Sequence, residues 1–306
     1  MTTRKNVQLR GILAAVTTPF TPDAAQVDEP ALQRQVDRLV DAGIHGLVPT
    51  GTTGEFTTLA PAEYRRVIEA YVEAAAGRVP VVAGVGSLST AGAIDLAQHA
   101  ERVGADAIML VPPFYDPLSF DALKAFLSDV ASSITIPIVY YNVPGATGLK
   151  LSAAEIAELG DIPGVDYLKD TSGDAVALAE LLAARGDRIK AFNGWDTLTF
   201  FGIASGAEAS VWGVAGIVPE LAVELWNTLA VERDLERARL LWPRLWELSD
   251  FLESVNYVAG IKAALELTGN PVGPARLPIQ PLAPAERERL AGILERTGVL
   301  GATVAA

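Results

Sequence analysis

The sequence predicts an α/β protein, a (β/α)8 TIM barrel with a C-terminal helical extension. Short apolar segments rich in Val, Ile and Ala recur with amphipathic helical stretches between them, the pattern of repeated βα units around a parallel sheet. Eight such segments can be counted, and eight is the number that closes a barrel of this kind. The length of 306 residues suits one such barrel with a few added elements.

In chain order the strands are expected near residues 11–17, 44–49, 80–85, 106–111, 136–142, 165–169, 188–193 and 208–213. Each runs into a helical stretch such as 29–42, 61–76 or 91–103. Ser152 stands three residues before Glu155 as a capping box, and Pro61 and Pro219 fit first-turn positions. An open doubly wound sheet is the competing arrangement. The segment 84–92 has glycines like a dinucleotide loop, but it lacks the third glycine at the right offset and an acidic residue at the end of the next strand. Beyond the eighth unit, helical runs at 231–268 and 284–297 flank a Pro-rich stretch, 270–281. The expected organisation is therefore a barrel over 1–230 and a helical extension over 231–306, packed on the barrel rather than independent.

Composition removes several function classes. A net charge of -13 and a pI near 4.7 give a surface that repels nucleic-acid phosphates and anionic lipid. With no cysteine, thiolate metal sites, disulfides and cysteine nucleophiles are excluded. The two histidines, His45 and His99, lie in different segments without metal-ligand spacing, and both read as hydrogen-bonded structural residues. Residues 1–10 lack the apolar core of a signal peptide, and no apolar stretch is long enough to span a bilayer, so a cytoplasmic location is expected.

Barrel chemistry gathers where strands end, so the polar residues there belong together. Strand 2 runs into Gly51-Thr52-Thr53-Gly54-Glu55, strand 4 into Pro112-Pro113-Phe114-Tyr115, strand 5 into Tyr141-Asn142-Val143-Pro144 and strand 6 into Lys169-Asp170. Strands 7 and 8 end in Asn193-Gly194-Trp195-Asp196 and Val211-Trp212-Gly213. A lysine held at the end of a buried strand is partly desolvated, which favours the neutral, nucleophilic amine and permits a Schiff base with a ketone. Alone, Lys169 reads more readily as an ion-pair partner of Asp170 than as a nucleophile. The loop 51–54 offers backbone N–H groups and hydroxyls suited to a carboxylate or phosphate, and it also reads as a tight turn with a Thr helix cap. Tyr141 has a structural reading as well, but a phenol and a threonine hydroxyl beside an imine-forming lysine are what carbinolamine chemistry needs to move protons while water leaves.

Four stretches, Gly51-Thr52-Thr53-Gly54-Glu55, Tyr141-Asn142-Val143-Pro144, Tyr167-Leu168-Lys169-Asp170-Thr171-Ser172-Gly173-Asp174 and Gly260-Ile261-Lys262-Ala263-Ala264-Leu265, appear in this order and spacing. In them the chain resembles the pyruvate-dependent class I aldolases and lyases that include dihydrodipicolinate synthase and N-acetylneuraminate lyase, over roughly Gly11 to Pro281. The resemblance implies that Lys169 forms the imine with pyruvate or another 2-keto acid and that Tyr141 shuttles protons. It implies that Thr52 links Tyr141 to Tyr115 of a neighbouring subunit, and that Thr53 holds the substrate carboxylate. Gly51, Gly54, Gly194, Asp196, Val211 and Trp212 complete the candidate substrate-binding set. A homotetramer built as a dimer of dimers is implied, and no metal or organic cofactor.

The chain departs from the relatives that make the lysine precursor in one telling place. Those carry an arginine two residues after Tyr-Asn-Val-Pro, where this sequence has Ala146. Losing a charge-assisted carboxylate contact forfeits about 1.5–3 kcal/mol. Gly216 replaces a frequent asparagine, and Trp212 a commonly small residue; if Trp195 and Trp212 face the cavity they shrink it. Asp196 and Thr197 are placed to meet substrate hydroxyls. The leading expectation is a Schiff-base lyase joining or cleaving pyruvate and an aldehyde, with a 2-keto-3-deoxy sugar acid as its substrate. The alternatives are 4-hydroxy-tetrahydrodipicolinate synthase, which condenses pyruvate with aspartate semialdehyde, a keto-deoxy sugar acid dehydratase, and, from another class, a ligand-binding barrel that has lost catalysis.

Overall fold

A computed structural model describes residue 4 and residues 7–300; the N-terminal stretch read above for a signal peptide and the last residues of the extension lie partly outside these. All eight expected strands form: β1 (Gly11–Ala15), β2 (Gly46–Val48), β3 (Val82–Gly86), β4 (Ala107–Val111), β5 (Ile138–Asn142), β6 (Val165–Asp170), β7 (Lys190–Asn193) and β8 (Ala209–Trp212). They pair in parallel in the order β2-β1-β8-β7-β6-β5-β4-β3. The seam between β3 and β2 is joined by a bridge from Leu47 to Val81 and by the bond from the Gly84 N–H to the Pro49 carbonyl at 2.9 Å, so the sheet is a barrel and not the open alternative.

Around it run α1 (Glu29–Asp41), α2 (Pro61–Ala75), α3 (Thr90–Arg102), α4 (Phe120–Ser133), a single turn α5 (Pro144–Thr147), α6 (Ala153–Leu159), α7 (Ala175–Ala184), α8 (Thr199–Ala204) and α9 (Pro219–Trp226). Pro61 and Pro219 open their helices, and the Ser152–Glu155 capping box forms in both directions. In the segment 84–92, a Cβ on Gly84 would lie 2.4 Å from the Thr50 carbonyl, so glycine lets β3 approach the loop after β2. His45 is structural, its Nδ1 accepting the Ile12 N–H at 3.2 Å; burial, helped by Arg10, holds its pKa below the ordinary value.

Alternation along the strands divides the core. Leu13, Val82, Met109, Val139, Tyr141, Phe192 and Val211 fill the barrel, whereas Ile12, Leu47, Ile108, Tyr140 and Leu168 face the helices. Tyr167 leans on Phe192 at 5.1 Å between ring centroids, and its hydroxyl donates to the Val7 carbonyl, which plugs the floor.

The expected helical run 231–268 is divided. A π-helical stretch, Asn227–Glu232, ends at Arg233 with φ 62, followed by α10 (Leu235–Ser254) and α11 (Tyr257–Leu267). The break falls at Val255 and Asn256, where the Asn256 side chain accepts the Ala259 N–H and caps a new helix, a stop-and-restart signal that apolar periodicity does not carry. The last helix, α12, spans Pro284–Thr297. Leu245, Phe251, Ile261, Leu290 and Leu294 share one apolar cluster with β1 and β2, so the extension is fused to the barrel core.

Trp212 is the largest fully buried side chain and packs at a tilt of 44° against Trp242 of α10, 6.2 Å between centroids. It points away from the barrel interior and ties β8 to the extension. Trp212→Ala should lower the unfolding free energy by about 3–5 kcal/mol in a denaturant titration; a loss below about 1 kcal/mol would contradict the packing described.

Candidate active site

Lys169 reaches the barrel interior because β6 carries a bulge. Ile138 pairs with Val165 but Val139 pairs with Tyr167, so Asp166 is an extra residue that shifts the phase of the strand. Val165 faces the helices while Tyr167 lies inside. Two residues on, Lys169 also points inward, beside its register partner Tyr141, with Nζ 4.3 Å from the Tyr141 ring centroid. Both are buried, at 7% and 6% exposure.

The ion pair with Asp170 does not form. Asp170 faces the other side of the strand, where its carboxylate accepts from Asn142 Nδ2 at 2.8 Å and from the Ser172 hydroxyl at 2.9 Å. Among the described residues no carboxylate makes a salt bridge with Lys169. The ammonium instead rests on an aromatic face, a contact worth about 0.5–2 kcal/mol. Burial pushes the Tyr141 phenol up, but the Lys169 ammonium and hydrogen bonds with Thr52, Thr171 and Lys169 outweigh it and hold the pKa below its usual value. Thr171 had not been singled out in the sequence; its hydroxyl also donates to the Gly194 carbonyl at 3.3 Å.

Gly194 belongs here for a steric reason. A Cβ on it would stand 2.7 Å from both Cγ and Cε of Lys169 and 2.5 Å from Thr171 Oγ1. Across the strand ends, the loop after β2 turns back with Thr50 and Glu55 both in left-handed backbone. A Cβ on Gly54 would fall 2.7 Å from the Thr50 amide, so glycine permits that turn. Thr53 is buried and Thr52 exposed; Thr52 is the one that bonds Tyr141.

A cavity of about 160 Å³ adjoins Tyr141 and Thr52. Its walls include Phe56, Met109, Val111, Phe114, Val143 and Ala146, and none of its lining side chains is charged. Val211 sits in the barrel interior. Asp196 accepts from the Tyr257 hydroxyl at 2.5 Å; burial, reinforced by Glu253, pushes it up to about 7 against that hydrogen bond and the Lys169 ammonium. Thr197 is engaged by Glu253 through its N–H and hydroxyl. Trp195 packs by Gly173 and Trp212 turns outward, and neither lines that cavity, so the condition under which the two would shrink it is not met. Gly216 lends its carbonyl to Arg38. Tyr115 is 81% exposed and is not brought to the other site residues within its own chain. No group of three or more potential metal ligands occurs among the described residues, and no helix there is long and apolar enough to cross a membrane.

Comparison with known proteins gives one consistent picture. The model of the dihydrodipicolinate synthetase family matches residues 8–297. A 4-hydroxy-tetrahydrodipicolinate synthase of Methanopyrus kandleri is 39% identical, covering 96% of this chain and 98% of that protein. A protein of the same name from Thermomicrobium roseum is 40% identical over 94% of each chain. The crystal structure of a chloride-inhibited dihydrodipicolinate synthase from Acinetobacter baumannii, complexed with pyruvate, superposes with a TM-score of 0.91 at 31% identity, covering 95% of this chain and 99% of that one.

If the Lys169 ammonium is what lowers the Tyr141 phenol, Lys169→Met leaves burial unopposed by that charge. The phenolate absorbance of Tyr141, isolated as the difference between wild-type and Tyr141→Phe titrations in each background, should then appear at higher pH in the variant. An unchanged titration would refute the coupling.

Proposed function

Because the chain belongs to the dihydrodipicolinate synthetase family, we propose that it is a class I aldolase whose Lys169 forms an imine with pyruvate and joins it to, or releases from it, an aldehyde. The observation that carries this reading is a buried lysine stacked on Tyr141 with no carboxylate in salt bridge to it among the described residues.

The amine of Lys169, in its neutral form, adds to the ketone carbon of pyruvate, and the carbinolamine oxygen takes a proton and leaves as water. Tyr141 is the donor and acceptor for those protons, and Thr52 relays them from its hydroxyl. The resulting iminium withdraws electrons from the neighbouring methyl group, which loses a proton to give an enamine; the enamine carbon attacks the aldehyde carbonyl. Hydrolysis of the imine frees the product, and cleavage runs the same steps backwards. The Thr53 hydroxyl and the backbone N–H groups of the loop after β2 hold the pyruvate carboxylate. Gly51 and Gly54 keep that loop tight, and Gly194 leaves room for the Lys169 stem.

Tyr115 enters the relay from a second copy, which its exposure of 81% allows, and the assembly is a homotetramer of paired dimers. For the aldehyde half, Ala146 and the uncharged cavity wall offer no cation to a second carboxylate. That favours an aldehyde recognised through hydroxyl or apolar groups, as from a 2-keto-3-deoxy sugar acid. A second reading, 4-hydroxy-tetrahydrodipicolinate synthase, is favoured by the names of the relatives at 39% and 40% identity.

Borohydride added with pyruvate should fix a pyruvyl adduct on Lys169, seen by peptide mass spectrometry, and Lys169→Ala should abolish it. An unmodified Lys169 at saturating pyruvate would remove the mechanism and leave a non-catalytic barrel. A screen that pairs the trapped reaction with keto-deoxy acids and with aspartate semialdehyde separates the two substrate readings.

A further inference from the structure

The motif around Lys262 has no part in the chemistry above, yet Lys262 is as buried as Lys169, at 5% exposure. It sits on α11 of the extension with Nζ 2.6 Å from Glu55 Oε1, and the Glu55 side chain is fully buried. The same ammonium donates to the carbonyls of Thr18 and Pro274, both at 2.9 Å, and lies 4.3 Å from the Phe20 ring centroid. Two carbonyls and one carboxylate oxygen thus surround the ammonium, so this lysine is held in place and not offered to a ketone. Glu55 Oε2 accepts the backbone N–H of Arg276 at 2.8 Å. Arg276 in turn grips Glu63 through two bonds and also lies over the Phe20 ring, 4.1 Å from its centroid.

Glu55 ends the loop that carries Thr52 and Thr53. It occupies a left-handed conformation, φ 57, that a non-glycine residue keeps only when its surroundings over-determine it. Thr18 adds a second tie, its hydroxyl donating to the Gly54 carbonyl at 2.7 Å. Loop and extension are more than 200 residues apart in sequence and meet through one buried ion pair.

We propose that Lys262 and Glu55 are positioning residues: the helical extension fixes the shape of the loop after β2, and so sets how well the loop's Thr53 and N–H groups hold a substrate carboxylate. This rests on the pyruvate reading above. Neither residue touches the reacting atoms, so their loss weakens pyruvate binding while leaving imine formation at saturation nearly intact.

The test measures the pyruvate concentration that gives half-maximal borohydride trapping on Lys169, and the trapping rate at saturation. Lys262→Met leaves a buried, uncompensated Glu55 carboxylate and is the variant most at risk of not folding. The double variant Glu55→Gln/Lys262→Met removes both charges together, and Thr18→Val removes only the second tie. For the double variant the half-saturating concentration should rise by about tenfold or more with the saturating rate within about threefold, and for Thr18→Val by about threefold. Half-saturation unchanged in Thr18→Val and in whichever Lys262 variant folds would overturn the positioning role. So would a fall in saturating rate equal to the loss of affinity, the mark of general disruption. Absence of an adduct in the wild type would instead fell the pyruvate reading, and the inference with it.

Discussion

A buried lysine that lacks a counter-charge is the constraint on which the rest of the site depends. A cation taken out of water is costly unless something compensates it. Here the compensation is the face and the hydroxyl of Tyr141, while the nearest carboxylate in sequence, Asp170, is engaged by Asn142 and Ser172 behind the strand. A carboxylate in salt bridge to Lys169 would have tied up its amine. The bulge at Asp166 makes the difference, because it turns Lys169 inward and Asp170 outward.

Glycines around that lysine leave it room. Gly194 clears space for its stem, and Gly54 and Gly84 let the loop after β2 fold close to the strand ends. Asp196 shares the region, but its raised pKa and its bond to Tyr257 limit how much negative charge it presents to Lys169 near neutrality. The extension contributes at two places: Trp242 and α10 cover the outside of β8 through Trp212, and α11 delivers Lys262 to Glu55. The side chains that line the cavity beside Tyr141 are all uncharged.

Much of this was legible in the sequence. Eight strands emerged from apolar runs, because fully buried parallel strands are continuous in hydrophobicity and their helices amphipathic. The residues gathered at the strand ends could be named because a barrel puts all such ends on one rim. The direction of side chains was less accessible. Simple alternation puts Val165, Tyr167 and Lys169 on one face, and only the pairing with β5 reveals the bulge that separates the first from the other two. Trp212 was expected near the substrate from its place at a strand end; its outward phase, one residue after Val211, sends it to Trp242. The Tyr257–Asp196 bond and the Lys262–Glu55 pair join distant segments, and no local pattern announces which buried polar groups will meet. Tyr115 is exposed within its own chain, and the part assigned to it came only from the resemblance.

The central claim is that Lys169 forms an imine with pyruvate, and exchange of the ketone oxygen tests it without knowledge of the aldehyde. In water enriched in oxygen-18, each round of imine formation and hydrolysis replaces the pyruvate carbonyl oxygen. The wild-type protein should accelerate incorporation of the label well beyond the spontaneous rate, and Lys169→Arg, which keeps the charge but not the nucleophile, should return it to background. Equal incorporation by wild type and Lys169→Arg would contradict the account.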